Sequence, residues 1–123
     1  MEIRRTVDAT ARVVVLEVIG DLGDPELASL VLELTKVPGL EPDFALLIDM
    51  REARGRAVTT SGVKALAQHP LVLSPSSRRA VVVPTDLGFG MARMYEMFAE
   101  PRGGAVRVFR DYAQARRWVE LGV

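Results

Sequence analysis

Phe44-Ala45-Leu46-Leu47-Ile48-Asp49 decides how the rest of the chain is read. Five consecutive apolar residues leave no polar face. A strand here must therefore be covered on both sides, as a central parallel strand is. Ala80-Val81-Val82-Val83 repeats the pattern and is closed by Pro84. Parallel neighbours cannot be joined by a tight turn and need a crossover, usually a helix. The sequence between them supplies one: residues 59–69 carry Val63, Leu66 and Ala67 at helical spacing and stop at Pro70.

The same rhythm continues outward from this unit. Downstream, Thr85 or Asp86 caps a helix with Leu87, Met91, Met94 and Phe98 on one stripe. Pro101-Arg102-Gly103-Gly104 reads as a loop and 105–109 as an alternating edge strand. Asp111 then caps a last helix with Ala115, Trp118 and Val119 inward. Upstream, a short charged strand over 2–7 turns at 8–10 into 12–19, where Val14, Leu16 and Val18 share a face. This is a hairpin, and its charged first strand suits a sheet edge. After the break at 20–23, Asp24-Pro25 opens a helix with Leu27, Leu30, Val31 and Leu34 inward, ended by Pro38-Gly39. The order is ββαβαβαβα. It predicts one α/β domain over residues 1–123, with a mixed five-stranded sheet and helical crossovers.

Composition agrees with one ordinary globule. The chain has 123 residues, 49% apolar and 26% charged, which excludes a disordered or fibrous chain. It has no cysteine, which removes disulfides, thiolate metal sites and thiol catalysis together, and its one histidine cannot build a multi-histidine metal site. No metal and no cofactor are expected. A net charge of zero argues against nucleic acid as a partner. No apolar run suits a signal peptide or membrane insertion, so a cytoplasmic protein is expected. Charge is nonetheless uneven: residues 1–50 sum to −6 and residues 51–123 to +6.

The search for chemistry ends without a catalytic constellation. Gly88-x-Gly90 lacks the third glycine of a dinucleotide fingerprint and reads as close packing of helix on sheet. Ser61 and His69 lie eight positions apart on one helix, about 12 Å along its axis, too far for a hydrogen bond. His69 reads instead as a helix C-terminal group. Asp21 and Asp24 read as turn and cap residues. No residue is assigned a catalytic role.

Two segments have a different character. Thr59, Thr60 and Ser61 open the second helix, where free N–H groups favour an anion, and Arg51, Arg54 and Arg56 precede them as anion-supporting residues. Simple capping by Thr59 or Thr60 is the alternative. Tyr95 and Met97 fall off the 87/91/94/98 stripe, so they are assigned to a homodimer surface on the third helix.

The element order, with Asp49-Met50 at the end of its strand and Thr59-Thr60-Ser61-Gly62 opening the next helix, resembles the STAS family. More closely, the chain is similar to the stand-alone bacterial SpoIIAA-like branch, which overlaps with STAS/Sec14-type domains. The segments Phe89-Gly90-Met91-Ala92-Arg93-Met94 and Arg107-Val108-Phe109-Arg110-Asp111 resemble members of that branch too. The resemblance covers nearly the whole chain. It implies that Ser61 occupies the family's phosphorylatable serine, with Thr59 standing where the family has aspartate. It further implies a non-enzymatic interaction or regulatory domain whose protein partner docks on residues 50–62 and the second helix. The Sec14 side of the likeness implies instead a binding module for a small apolar or anionic ligand, held between helices and sheet.

Overall fold

In the computed structural model, residues 1–70, 72–102 and 105–123 are described. The elements are β1 (Glu2–Asp8), β2 (Val13–Gly23), α1 (Asp24–Thr35), β3 (Ala45–Ala57), α2 (Thr60–Gln68), β4 (Arg78–Val82), α3 (Asp86–Ala99), β5 (Ala105–Phe109) and α4 (Tyr112–Leu121). A single turn of 3-10 helix, Glu100–Arg102, opens the loop expected at 101–104. Gly103 and Gly104 lie outside the described residues.

The sheet runs in sequence order, β1-β2-β3-β4-β5. Its first pair is antiparallel and the other three are parallel. Right-handed crossovers that always step the same way place every crossover helix on one face of the sheet. Accordingly, Leu27 and Leu30 of α1, Val63 of α2 and Ala92 of α3 share one apolar cluster with Leu46, Ile48 and Val81. After β5 the chain has no further crossover to make. Helix α4 covers the opposite face, where Ala115, Trp118 and Val119 meet Leu47, Ala80 and Val82. The two-faced apolarity of β3 has this cause: alternate residues serve two separate cores.

Several boundaries differ from the sequence reading, β4 among them with Arg78–Val82 instead of 80–83, and two of the others shape the functional site. β2 does not end at Ile19, and β3 does not end at Asp49. They stay paired through Ile19↔Glu52, Gly20↔Ala53, Asp21↔Arg54 and Gly23↔Ala57, with irregularities after Glu17 and Asp21. The expected arginine-rich loop is thus the outer half of a strand. Backbone bonding and the Arg54–Asp21 ion pair hold this arm, most of whose side chains face solvent. Gly20 sits at φ 100°, a conformation that side chains rarely adopt. At the helix-opening Asp24-Pro25, the N-cap is Gly23 rather than Asp24: the Glu26 carboxylate accepts from the Gly23 N–H at 2.9 Å. Asp24 is left to act elsewhere.

The opposite charges of the two halves meet within the fold. Arg54 pairs with Asp21 and Arg116 with Asp8, both at 2.8 Å. Arg12, at φ 56° in the β1–β2 turn, binds Asp43 and Glu41.

Candidate functional site

α3 packs on the sheet through its smallest residues. Its buried residues are Ala92, Tyr95 and Ala99, with Gly88 continuing the stripe toward its start. The bulkier Met91 and Leu87 are pushed to one side, and α1 and α2 lean in from the other. The space left between them is a cavity of about 460 Å³. Its inner wall includes Leu27, Leu30, Ile48, Val81, Met91 and Tyr95. Arg54, Gly55 and Arg56 of the arm stand at its edge, with Thr85 and Leu87 of the α3 start. It lies at the carboxyl ends of β3 and β4, where open α/β sheets place ligands, and its volume falls in the range of small-molecule sites.

The expected anion site at the start of α2 is filled by the chain itself. Asp24, freed from capping α1, reaches across to Thr59. Its Oδ1 accepts from the Thr59 N–H at 2.8 Å and its Oδ2 from the Thr59 hydroxyl at 2.6 Å. Thr59 Oγ1 in turn accepts from the Gly62 N–H at 3.1 Å, which makes Thr59 the N-cap. A Cβ on residue 62 would overlap the Asp24 carboxylate, so the glycine there is a requirement of this latch. The helix terminus does attract an anion, but the anion is Asp24. Ser61 is exposed, and its hydroxyl has no hydrogen bond among the described residues. Thr60 is exposed as the first helical residue.

The Thr59 hydroxyl, and then the Thr59 N–H, hold the Asp24 carboxyl below its ordinary range. A carboxyl depressed by folding adds stability that is present at neutral pH and lost as pH falls through its folded-state value. Asp24→Asn should therefore melt below wild type at neutral pH, and the gap should close on acidification to below about pH 4. Melting curves for both proteins across that range check this.

The three arginines named with this site do not act together. Arg51 is bound twice to buried Asp49, at 2.9 and 2.8 Å, and lies 4.6 Å over the Tyr112 ring on the α4 side. Arg54 is held by Asp21. Arg56 makes no hydrogen bond or ion pair among the described residues and acts on Asp21 only through space. Of the trio, Arg56 is the one left uncommitted at the cavity edge. His69 binds the Pro70 carbonyl through Nδ1 at 2.9 Å.

The homodimer surface assigned to Tyr95 and Met97 is corrected at its first member. Tyr95 is 9% exposed and faces the core, whereas Met97 is 65% exposed. The deepest stripe is 92/95/99, with Gly88 in line, while Met91, Met94 and Phe98 of the expected stripe pack against the same core only partly buried and Leu87 is exposed. Arg79 was passed over because the strand seemed to begin at Ala80. Alternation back from Val81 is the signal that places it on the inward face.

Among the described residues, no group of three or more His, Cys, Asp or Glu is placed to hold a metal ion, and no helix is long and apolar enough to cross a membrane. No family model matches the sequence, and no curated protein matches it. The fold itself is shared: the chain is similar to the crystal structure of an uncharacterised protein of the DUF3478 family with a SpoIIAA-like fold, from Shewanella loihica PV-4. The TM-score is 0.61 at 18% identity, over 96% of this chain and 92% of that one. The SpoIIAA-like α/β fold expected from the sequence is thereby the fold of this chain, and at this identity the likeness extends to fold alone.

Proposed function

We propose that the protein is a non-catalytic binding module that holds a small apolar molecule in the cavity beneath α1, α2 and α3. The observation that carries this reading is the cavity itself. An open-mouthed cleft of about 460 Å³ with leucine, valine and methionine walls has the size and lining of a small-molecule site. Of the two readings implied by the family resemblance, this geometry favours the Sec14-like one. The Asp24–Thr59 latch supports it too, because it ties α1 to α2 across one side of the cavity. Native mass spectrometry of protein purified from its own host tests it: a stoichiometric adduct that organic extraction removes is expected, and the bare chain mass in every preparation would refute a resident ligand.

A docking role is favoured by a separate observation. The β2–β3 arm projects exposed Glu52, Arg54 and Arg56 beside exposed Ser61. A protein partner seated there would cover the cavity edge, so ligand and partner would sense one another. Phosphate on Ser61 would add about −1.5 to −2 charge to that face. Partner capture by Ser61→Asp and Ser61→Ala should then differ, and identical capture profiles would leave Ser61 an ordinary first-turn residue.

A further inference from the structure

One buried cation in the core lacks a counter-charge. Arg79 is 8% exposed, no carboxylate among the described residues pairs with it, and its Nε has no hydrogen-bond partner there. Its one hydrogen bond runs from Nη1 to the Tyr95 hydroxyl at 3.4 Å. Glu96, the neighbour of Tyr95, lines a separate cleft with Arg93 and Arg107 and lies 3.6 Å from Arg93; its Oε2 is also buried without a hydrogen bond among the described residues, and no ion pair joins it to Arg79. A guanidinium taken out of water without a partner is costly, so the fold gains nothing in stability from Arg79 as it stands.

Its position relates it to the cavity. Alternation along β4 puts Arg79 on the same face as Val81, which lines the cavity, as Tyr95 does. Along α3, Leu87 and Gly88 stand at the edge, Met91 and Ala92 one turn inward, and Tyr95 about 10 Å from Gly88 along the helix axis. Arg79 is thus behind the inner wall, joined to it through the Tyr95 hydroxyl.

Resting on the proposed ligand site, we infer that the Tyr95 hydroxyl, backed by Arg79 from behind the wall, forms a carboxylate receptor at its inner end, so that the ligand is an apolar monocarboxylic acid bound acid-first. The Tyr95 oxygen accepts from Arg79 and keeps its own proton to donate to a carboxylate oxygen. From behind the wall the guanidinium polarises that hydroxyl and supplies the matching charge through it. One hydroxyl and one guanidinium suit a monoanion. A phosphate dianion would need more donors than this end of the cavity offers.

Calorimetric titration of the full chain with decanoate and with decanol separates this inference from the reading beneath it. Wild type is expected to bind decanoate at least about tenfold more tightly than decanol. Arg79→Met should bring decanoate down to the decanol level, leave decanol unchanged and not lower the melting temperature. Tyr95→Phe keeps the packing and removes only the hydroxyl; it should weaken decanoate severalfold and spare decanol. Decanol binding without preference for decanoate, or a preference that survives in both variants, overturns the carboxylate receptor while leaving the apolar site intact. Binding of neither compound overturns both.

Discussion

Leu47→Ala should destabilise the protein by about 3 to 4 kcal/mol, more than any other truncation proposed here. Leu47 is 0% exposed in the inner half of β3, between β2 and β4, and belongs to the smaller core under α4. That core has little else to close around a void. Its other members are mainly valines and alanines on paired strands, whose backbones are fixed by the sheet, and Trp118 is already packed against Phe109. The cavity term therefore stays near its full value instead of being relieved by collapse. For a chain of this length the loss corresponds to a melting temperature about 10 to 15 °C lower. A drop of under about 1 kcal/mol would show that α4 can settle into the space, and would weaken the description of two separate cores.

Gly88→Ala and Gly90→Ala should move stability in opposite directions, although the two glycines are one residue apart in a single helix. Both changes gain about 1 kcal/mol of helix propensity. At Gly90 nothing lies within 4 Å of the added methyl, so the gain stands alone. At Gly88 the methyl would overlap Val83 Cγ1 and come within 2.9 Å of Thr85 Oγ1, the oxygen that caps the helix. Val83 is buried and β-branched, with little freedom to turn away. Overpacking of this kind costs about 3 kcal/mol, which outweighs the propensity gain and leaves Gly88→Ala about 2 kcal/mol less stable. Denaturant unfolding of both variants decides it, and stabilisation by both would mean that α3 is not seated on β4 as described.

These two residues also show what the sequence carries and what it does not. The apolar runs at 44–48 and 80–83 and the caps at Thr59 or Thr60, Thr85 or Asp86, and Asp111 were legible because each is a local pattern with a local cause. Thr59, Thr85 and Asp111 do accept from the N–H three residues on. The outer half of β3 was not legible. Arg51 to Ala57 is polar and glycine-containing, and what keeps it extended is backbone pairing with β2, which leaves no periodic trace in the side chains. The facing of α3 was misread because hydrophobicity ranks methionine and phenylalanine above glycine and alanine. Close approach to a sheet reverses that ranking: Gly88, Ala92 and Ala99 face inward because they are small. The cavity follows from the same choice. It is a space, left by small residues on one helix and bounded by two others and the sheet, and no single segment encodes it. Asp24 reads as a cap because Asp-Pro is a strong helix opening; that it instead holds the cap residue of a different helix, 35 residues away, is a tertiary fact.

The ligand site is tested most directly by titrating the protein with the neutral apolar dye N-phenyl-1-naphthylamine, in wild type and in Met91→Trp. Met91 is half-buried and lines the cavity, so a larger ring there fills the space without entering the packed stripe at 88/92/95/99. Wild type is expected to give saturable one-to-one binding. Met91→Trp is expected to lose affinity by about tenfold or more while its melting temperature stays close to that of wild type. A wild-type protein that shows no saturable binding, or a Met91→Trp variant that binds the dye as tightly as wild type, would contradict a ligand site between the helices and the sheet.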